Sequence, residues 1–325
     1  MNPSLPLVAI LCPVEFSFSE DVALVENEQL RGVATVRTFR IEFNASIPDE
    51  ALAADVLILW HNVPIGAEII GKLSKCRALI RNGVGYDSVD ITAATARKIP
   101  VCNVPDYGTE EVADHAIALA LALVRQLLPL DAEAKRLGWQ ITVARKMRRI
   151  RTLHFGLVGL GRIGTATALR AKALGFKVSF FDPYAPVGTH KAIGVARIDT
   201  LEELLRESDI LSVHCPLTKE TRRMIGAREI AMMKPGSFLV NTARGDVVQK
   251  APLFDALRTE HLAGAGLDVV ENEPLRTKEE AETPNLIVTC HAAFCSPEGL
   301  VEMRTTSAKI AKAAVLGQPV WNRVN

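Results

Sequence analysis

The chain has 325 residues, 48% hydrophobic and 23% charged, and its 38 basic and 37 acidic side chains leave a net charge of +1. That length exceeds a single hydrophobic core and suits two domains. The even charge, without a basic stripe, speaks against a nucleic-acid partner. The N-terminal MNPSLPLVAILCPVEF is apolar but has neither a basic n-region nor a small-residue cleavage site, so it reads as a first buried strand rather than a signal peptide. AIALALALV (116–124) is shorter than the about 20 apolar residues a bilayer span needs. No membrane partner is expected. Cys12, Cys76, Cys102, Cys215, Cys290 and Cys295 are scattered with no CxxC pair, which reads as reduced thiols of a cytoplasmic protein.

Short β-rich runs alternate with helical periods along the chain. LVAILC (7–12), VATVRTF (33–39), DVLILW (55–60) and RALIRN (77–82) read as parallel strands buried on both faces. A long helix then opens at Thr109, a candidate cap, with Glu110 and Glu111 in its first turn. Ile117, Leu121, Val124 and Leu128 keep helical spacing, so the helix is expected to span 109–128. An irregular segment, 129–150, carries Trp139 and the one basic run, ARKMRRIR (144–151), which reads as a solvated face. A second α/β series has strands expected at 152–158, 177–181, 209–213, 237–240, 263–267 and 286–289. Thr200 and Glu203 stand at capping-box spacing in DTLEELL, and a last helix is expected over 296–316.

GLGRIG supplies Gly159, Gly161 and Gly164 between an apolar strand and a helical run, and the next strand, KVSFF, ends at Asp182. Each part of a dinucleotide fingerprint is present. Gly159 lets the turn close, Gly161 admits a pyrophosphate, and Gly164 lets helix and strand pack. The Arg162 and Ile163 amides and the helix dipole then face the phosphates. Asp182 accepts bonds from the adenosine ribose hydroxyls and repels a 2′-phosphate, and no Arg follows it, so NAD is expected over NADP. NGVGYDS (82–88) has Gly83 and Gly85 but no third glycine; it is either a tight turn or a loop with amides aimed into a cleft.

TCHAAFCS (289–296) places His291 between Cys290 and Cys295. A metal site there needs a fourth ligand, and no second Cys/His cluster supplies one, so no metal is expected. A thiol nucleophile does not suit a fingerprint for hydride transfer. His115, His154 and His190 lack any motif and read as structural or surface residues.

FLVNTARGDVV (238–248), LDVVENEP (267–274) and CHAAF (290–294), in that order, resemble the D-isomer-specific 2-hydroxyacid dehydrogenases. Within them the chain is most similar to the C-terminal-binding-protein branch, whose FYDPY, FLVNTARG and HAAW runs read here FFDPY, FLVNTARG and HAAF. The resemblance implies an α/β fold of two doubly wound parallel-sheet (Rossmann-like) domains. A cofactor domain, 104–293, carries a dimerisation arm and is inserted into a discontinuous substrate domain, 1–103 plus 294–325. The active site is then expected in the cleft. Residue by residue, Arg244 matches the substrate arginine, whose planar fork holds a carboxylate and polarises the keto oxygen. His291 matches the acid/base and Glu273 its partner, a carboxylate that favours the imidazolium. Val84 and Gly85 match a carboxylate cradle, and Arg81 matches an arginine at the cleft mouth. Thr242 and Asp268 match positions lining the nicotinamide end, with Ala243 beside them on the cofactor, and His214, Cys215 and Pro216 match a loop beside the adenosine half. Cys290 stands where the family usually has Pro, and Phe294 where the branch has Trp.

The implied activity is NAD-dependent interconversion of a small 2-ketoacid and its D-2-hydroxyacid, with apolar ketoacid side chains tolerated against Phe294. The alternative is an NAD(H)-sensing scaffold like the branch's corepressors. A formate enzyme would have Gln in place of Glu273, and a phosphite enzyme Lys in place of Val84. The family pairs through its cofactor domains, so a homodimer is expected through the helix 109–128 and the arm with Trp139.

Overall fold

The structure is a computed structural model that describes residues 5–14, 23–42, 45–61, 63–144 and 147–325. The chain divides into two compact units, Met1–Gly108 with Cys295–Asn325, and Thr109–Phe294. Each has its own parallel sheet.

In the first unit the strands are β1 (Leu7–Pro13), β2 (Thr35–Ile41), β3 (Val56–Leu59), β4 (Ala78–Arg81) and β5 (Val101–Cys102), in the order β2-β1-β3-β4-β5. The VLIL of β3 and ALIR of β4 are buried along their whole length, as strands covered on both faces must be. At two residues β5 is too short to show any periodicity, and it has no counterpart among the expected strands. The chain's end closes this unit: Val324 donates to the Val101 carbonyl at 2.9 Å and Asn103 to the Asn322 carbonyl at 3.1 Å. The last helix, Pro297–Val315, is capped by Ser296, whose Oγ accepts from the Gly299 amide. Its Arg304 reaches Glu26 on the short helix Leu24–Gln29, with Nε and Nη2 donating to the carboxylate at 3.0 and 2.7 Å. Glu26 is fully buried, so this charge relies on that fork.

The second unit holds β6 (His154–Val158), β7 (Lys177–Phe181), β8 (Ala196–Arg197), β9 (Ile210–Val213), β10 (Ser237–Asn241), β11 (Leu262–Leu267) and β12 (Leu286–Val288), in the order β12-β11-β10-β9-β6-β7-β8. The strand order reverses between β6 and β9, which makes a crevice at their carboxyl ends. One apolar layer, built on Leu211, Leu239, Phe254 and Leu257, covers one face, and another, built on Phe155, Phe180, Ile210 and Leu123, covers the other. As expected, Thr200 caps the helix Leu201–Glu207 by accepting from the Glu203 amide.

The first helix of this unit departs from expectation at both ends. It runs Thr109–Val124, and Thr109 is its first helical residue; the buried Thr109 hydroxyl caps nothing and has no hydrogen-bond partner. At the other end Gln126 takes a left-handed φ of 52° and its side chain donates to the Leu123 carbonyl. The chain resumes as a separate helix, Leu127–Lys135, bent by 62° from the first. Leu128 keeps the helical spacing but lies on this second, exposed piece. No single helix among the described residues is long and apolar enough to cross a membrane. In the basic run, Arg148 pairs with Asp209 at 2.9 Å, and Arg145 and Lys146 lie outside the described residues.

Candidate active site

The candidate residues of the second unit lie just beyond the carboxyl ends of its strands. The glycine turn follows β6, Asp182 follows β7, His214 follows β9, Thr242–Arg244 follow β10, Asp268 and Glu273 follow β11, and His291 follows β12.

Gly159 has φ +94°, and a Cβ there would come 2.8 Å from the Cys215 amide nitrogen. A Cβ on Gly164 would overlap the Gly159 carbonyl, whereas the space around Gly161 is open. The turn therefore packs on the His214–Cys215 loop and leaves room at Gly161. Gly161 is the N-cap of the helix Arg162–Ala173 and offers no side chain, so the first-turn amides of Arg162 and Ile163 are available to an anion. Asp182 is fixed by two amides: Leu160 donates to Oδ2 and Tyr184 to Oδ1, each at 2.8 Å. His214 lies 2.8 Å from Ser212 Oγ through Nε2, and burial pushes its imidazole down to about 3. Burial likewise pushes the Cys215 thiol up to about 12, so it is no nucleophile. Pro216 is exposed and anchors its loop by accepting from Thr221 Oγ1 at 2.6 Å.

After β10, Asn241 shapes the turn that carries Thr242, Ala243 and Arg244. Its Oδ1 accepts from the Ala243 amide at 3.0 Å and its Nδ2 donates to the Arg244 carbonyl at 2.9 Å. The Thr242 hydroxyl is buried and has no hydrogen-bond partner. Gly245 has no room for a side chain, because a Cβ would overlap the Val270 carbonyl, and this approach sets the Arg244 turn directly against the chain leaving β11. Gly245 is not among the residues expected from the sequence; its signal is the glycine itself, directly after Arg244.

His291 Nδ1 lies 3.0 Å from Glu273 Oε2. A carboxylate only accepts, so Nδ1 carries the hydrogen and Nε2 faces away from Glu273. His291 has a left-handed φ of 54°, a strained conformation for a side chain of this size. Asp268 holds it there. The His291 amide donates to the Asp268 carbonyl at 2.9 Å, the Ala292 amide to Oδ1 at 2.9 Å and the Ala293 amide to Oδ2 at 3.0 Å. Thr289 Oγ1 adds a bond to Oδ1 at 2.6 Å. With 3% of its surface exposed, Asp268 is a buried carboxylate that needs these donors. This clamp, and Thr289 within it, were absent from the sequence reading. Phe294 completes the loop, its ring edge-on to the His291 ring with centroids 6.4 Å apart. Cys290 and Cys295 are free and exposed, and among the described residues no group of three or more His, Cys, Asp or Glu side chains is placed to hold a metal ion.

In the first unit, Arg81 ends β4, and Val84 and Gly85 follow it. Gly83 has φ +139°, and the buried Arg81 folds over it while donating to the Asn82 carbonyl. Asn103 Nδ2 donates to the Val84 carbonyl at 2.7 Å, which turns the peptide plane of the loop. Among the described residues, the Val84 and Gly85 amides meet no backbone or side-chain acceptor.

Residues 117–293 match the family model described as D-isomer specific 2-hydroxyacid dehydrogenase, NAD binding domain. The chain belongs to this family. It is 37% identical over 275 residues to a glyoxylate reductase of Korarchaeum cryptofilum, a match covering 83% of this chain and 82% of that one. It is 34% identical to a D-3-phosphoglycerate dehydrogenase of Methanocaldococcus jannaschii over 84% of its length, but spans only 52% of that longer protein. Among solved structures, D-lactate dehydrogenase of Aquifex aeolicus, complexed with NAD and lactic acid, superposes with a TM-score of 0.85 at 29% identity, covering 95% of this chain and 96% of the other. NAD is the cofactor of the matched domain, and the residues here fit it. The open space at Gly161, the unspent first-turn amides and the partnerless Thr242 hydroxyl are donors and room that a bound dinucleotide would use.

Proposed function

We propose that the protein reduces a small 2-ketoacid to its D-2-hydroxyacid with NADH, and catalyses the reverse oxidation when the products are in excess. The observation that carries this reading is the 3.0 Å contact of His291 with Glu273, in a loop at the carboxyl edge of the sheet that also carries the glycine turn. Bound NADH supplies a hydride. Arg244 grips the substrate carboxylate and polarises the neighbouring keto oxygen with its planar fork. In the first unit, the Val84 and Gly85 amides and the Arg81 guanidinium are the candidate substrate donors. His291, as the imidazolium, gives the Nε2 proton to the keto oxygen while C2 gains the hydride, and is left neutral. Glu273 keeps Nδ1 as a donor throughout, which holds the ring's tautomer and orientation.

Asp182, fixed by two amides, is set to accept the ribose hydroxyls and to repel a 2′-phosphate, which favours NADH over NADPH. Thr242, Ala243 and Asp268 serve the nicotinamide end, and His214, Cys215 and Pro216 the adenosine end. Phe294 gives an aromatic wall for the substituent on C3, so apolar ketoacids are accepted. Steady-state assays with glyoxylate, pyruvate, hydroxypyruvate and bulkier ketoacids, each with NADH and NADPH, test these choices. Turnover with glyoxylate alone would refute the Phe294 assignment, and equal or better catalytic efficiency with NADPH would overturn the cofactor preference.

The active form is a homodimer formed through the arm after Val124. Leu137, Trp139 and Ile141 are 98%, 90% and 74% exposed, a run of apolar surface that a second copy would cover. Light scattering at micromolar concentration checks this, and a monomer contradicts it.

A further inference from the structure

We infer that His115 is a positioning residue for the reaction proposed above, acting on His291 through Thr289 and Asp268. The inference rests on that reading of His291. It begins from how the helix Thr109–Val124 lies on β11. A Cβ on Gly264 would come 2.8 Å from Leu123 Cδ2, and one on Gly266 would come 2.9 Å from Leu119 Cβ. The bare strand thus lets the helix settle directly onto it. Two residues along the strand match four back along the helix, since side chains repeat every two residues in a strand and about every four in a helix. One further step in this register pairs Asp268 with His115. The side chains meet as the register requires: His115 Nε2 is 2.9 Å from Thr289 Oγ1 and 3.8 Å from Asp268 Oδ1.

Counting hydrogens gives the direction of the chain. Thr289 has one hydroxyl hydrogen, and the carboxylate of Asp268 can only accept it, at 2.6 Å. Thr289 Oγ1 therefore accepts from His115, and His115 Nε2 carries a hydrogen. Donation runs from His115 to Thr289 to Asp268, and Asp268 grips the amides of Ala292 and Ala293 and, by its own carbonyl, that of His291. His291 sits at φ +54°, which persists only while its surroundings enforce it. Loss of the His115 donor leaves Thr289 free to rotate and give its hydrogen elsewhere, and the clamp loses its outermost bond. His115 is 26% exposed, and its contacts run to Thr289 and Asp268, so its contribution is to hold the acid/base in place.

The test compares the full-length wild type with His115→Phe, His115→Gln, Thr289→Val and the His115→Phe/Thr289→Val pair. Two readouts are used: hydrogen exchange of the 289–294 amides, and steady-state kinetics with NADH and a ketoacid. We expect His115→Phe to speed exchange of the Ala292 and Ala293 amides about tenfold and to lower kcat by a similar factor, with KM for NADH little changed. His115→Gln, whose amide nitrogen can still donate to Thr289, restores both. The double variant is no worse than Thr289→Val alone, because both changes break one chain. Wild-type exchange in His115→Phe overturns the inference, whatever the kinetics. So do equal defects in the Phe and Gln variants, which would mean that His115 only fills space. If the wild type turns over no ketoacid, the functional reading fails instead, and the exchange data still decide whether His115 holds the loop.

Discussion

His214 should make the protein's stability depend on pH in a window where few other groups titrate. It sits under the glycine turn with Nε2 against Ser212 Oγ, and desolvation lowers its imidazole to about 3, well below the ordinary histidine range. The folded state therefore keeps the ring neutral, while the unfolded chain takes up a proton as pH falls below the ordinary histidine value of about 6.5. Because the unfolded state binds more protons, stability is lost as pH falls through this window and is fully present only above it. Between pH 7 and pH 5 the loss is about 2 kcal/mol, at about 1.4 kcal/mol per pH unit once the unfolded histidine is charged. His214→Gln has no group that titrates there, so its stability should be flatter over the same range. Urea unfolding of wild type and variant at pH 7, 6 and 5, followed by far-UV circular dichroism, gives the comparison. Asp209 does not confuse it. Burial raises that carboxyl, but the His154 amide, Arg148 and Lys234 outweigh burial and hold it low, so its stabilisation is lost only at more acid pH. Parallel stability curves for the two proteins between pH 7 and pH 5 would refute a histidine held neutral in the folded state.

Two further substitutions probe the Arg244 turn and the first unit. Gly245→Ala puts a Cβ into the Val270 backbone, so the turn must shift by on the order of 1 Å, and kcat/KM should fall about 100-fold; steady-state kinetics equal to wild type would mean that the two segments are not in close approach. Arg304→Met leaves Glu26 buried without its fork and should cost about 3–5 kcal/mol in urea unfolding, most of it recovered in the pair Glu26→Leu/Arg304→Met.

What the sequence revealed and what it hid follow from the range of the interactions. Continuous apolar runs such as VLIL and ILSV announce strands because both faces of each sheet are covered, and the glycine spacing announces the turn because its geometry is local. The helix break at Gln126 was hidden, since Leu128 continues the apolar spacing and nothing nearby requires a left-handed residue. The two-residue strands β5 and β8 are set by their neighbours in the sheet, so no pattern of their own marks them. Arg244, Glu273 and His291 were legible as motif residues. The support beneath them was not: Asp268 clamps residues 24 and 25 positions away, and His115 meets Thr289 across 174 positions. Only the packing of Leu119 and Leu123 on two glycines of β11 brings that helix into register with the loop.

The most direct test of the central claim is single-turnover oxidation of NADH by a ketoacid, in wild type and His291→Ala side by side, with NADH binding followed by fluorescence. The account predicts that wild type turns over, that both proteins bind NADH alike, and that the variant is slower by ~10²–10⁴-fold, the range for loss of a general acid. Wild-type turnover in His291→Ala would contradict it, as would a wild type that binds NADH yet reduces no ketoacid.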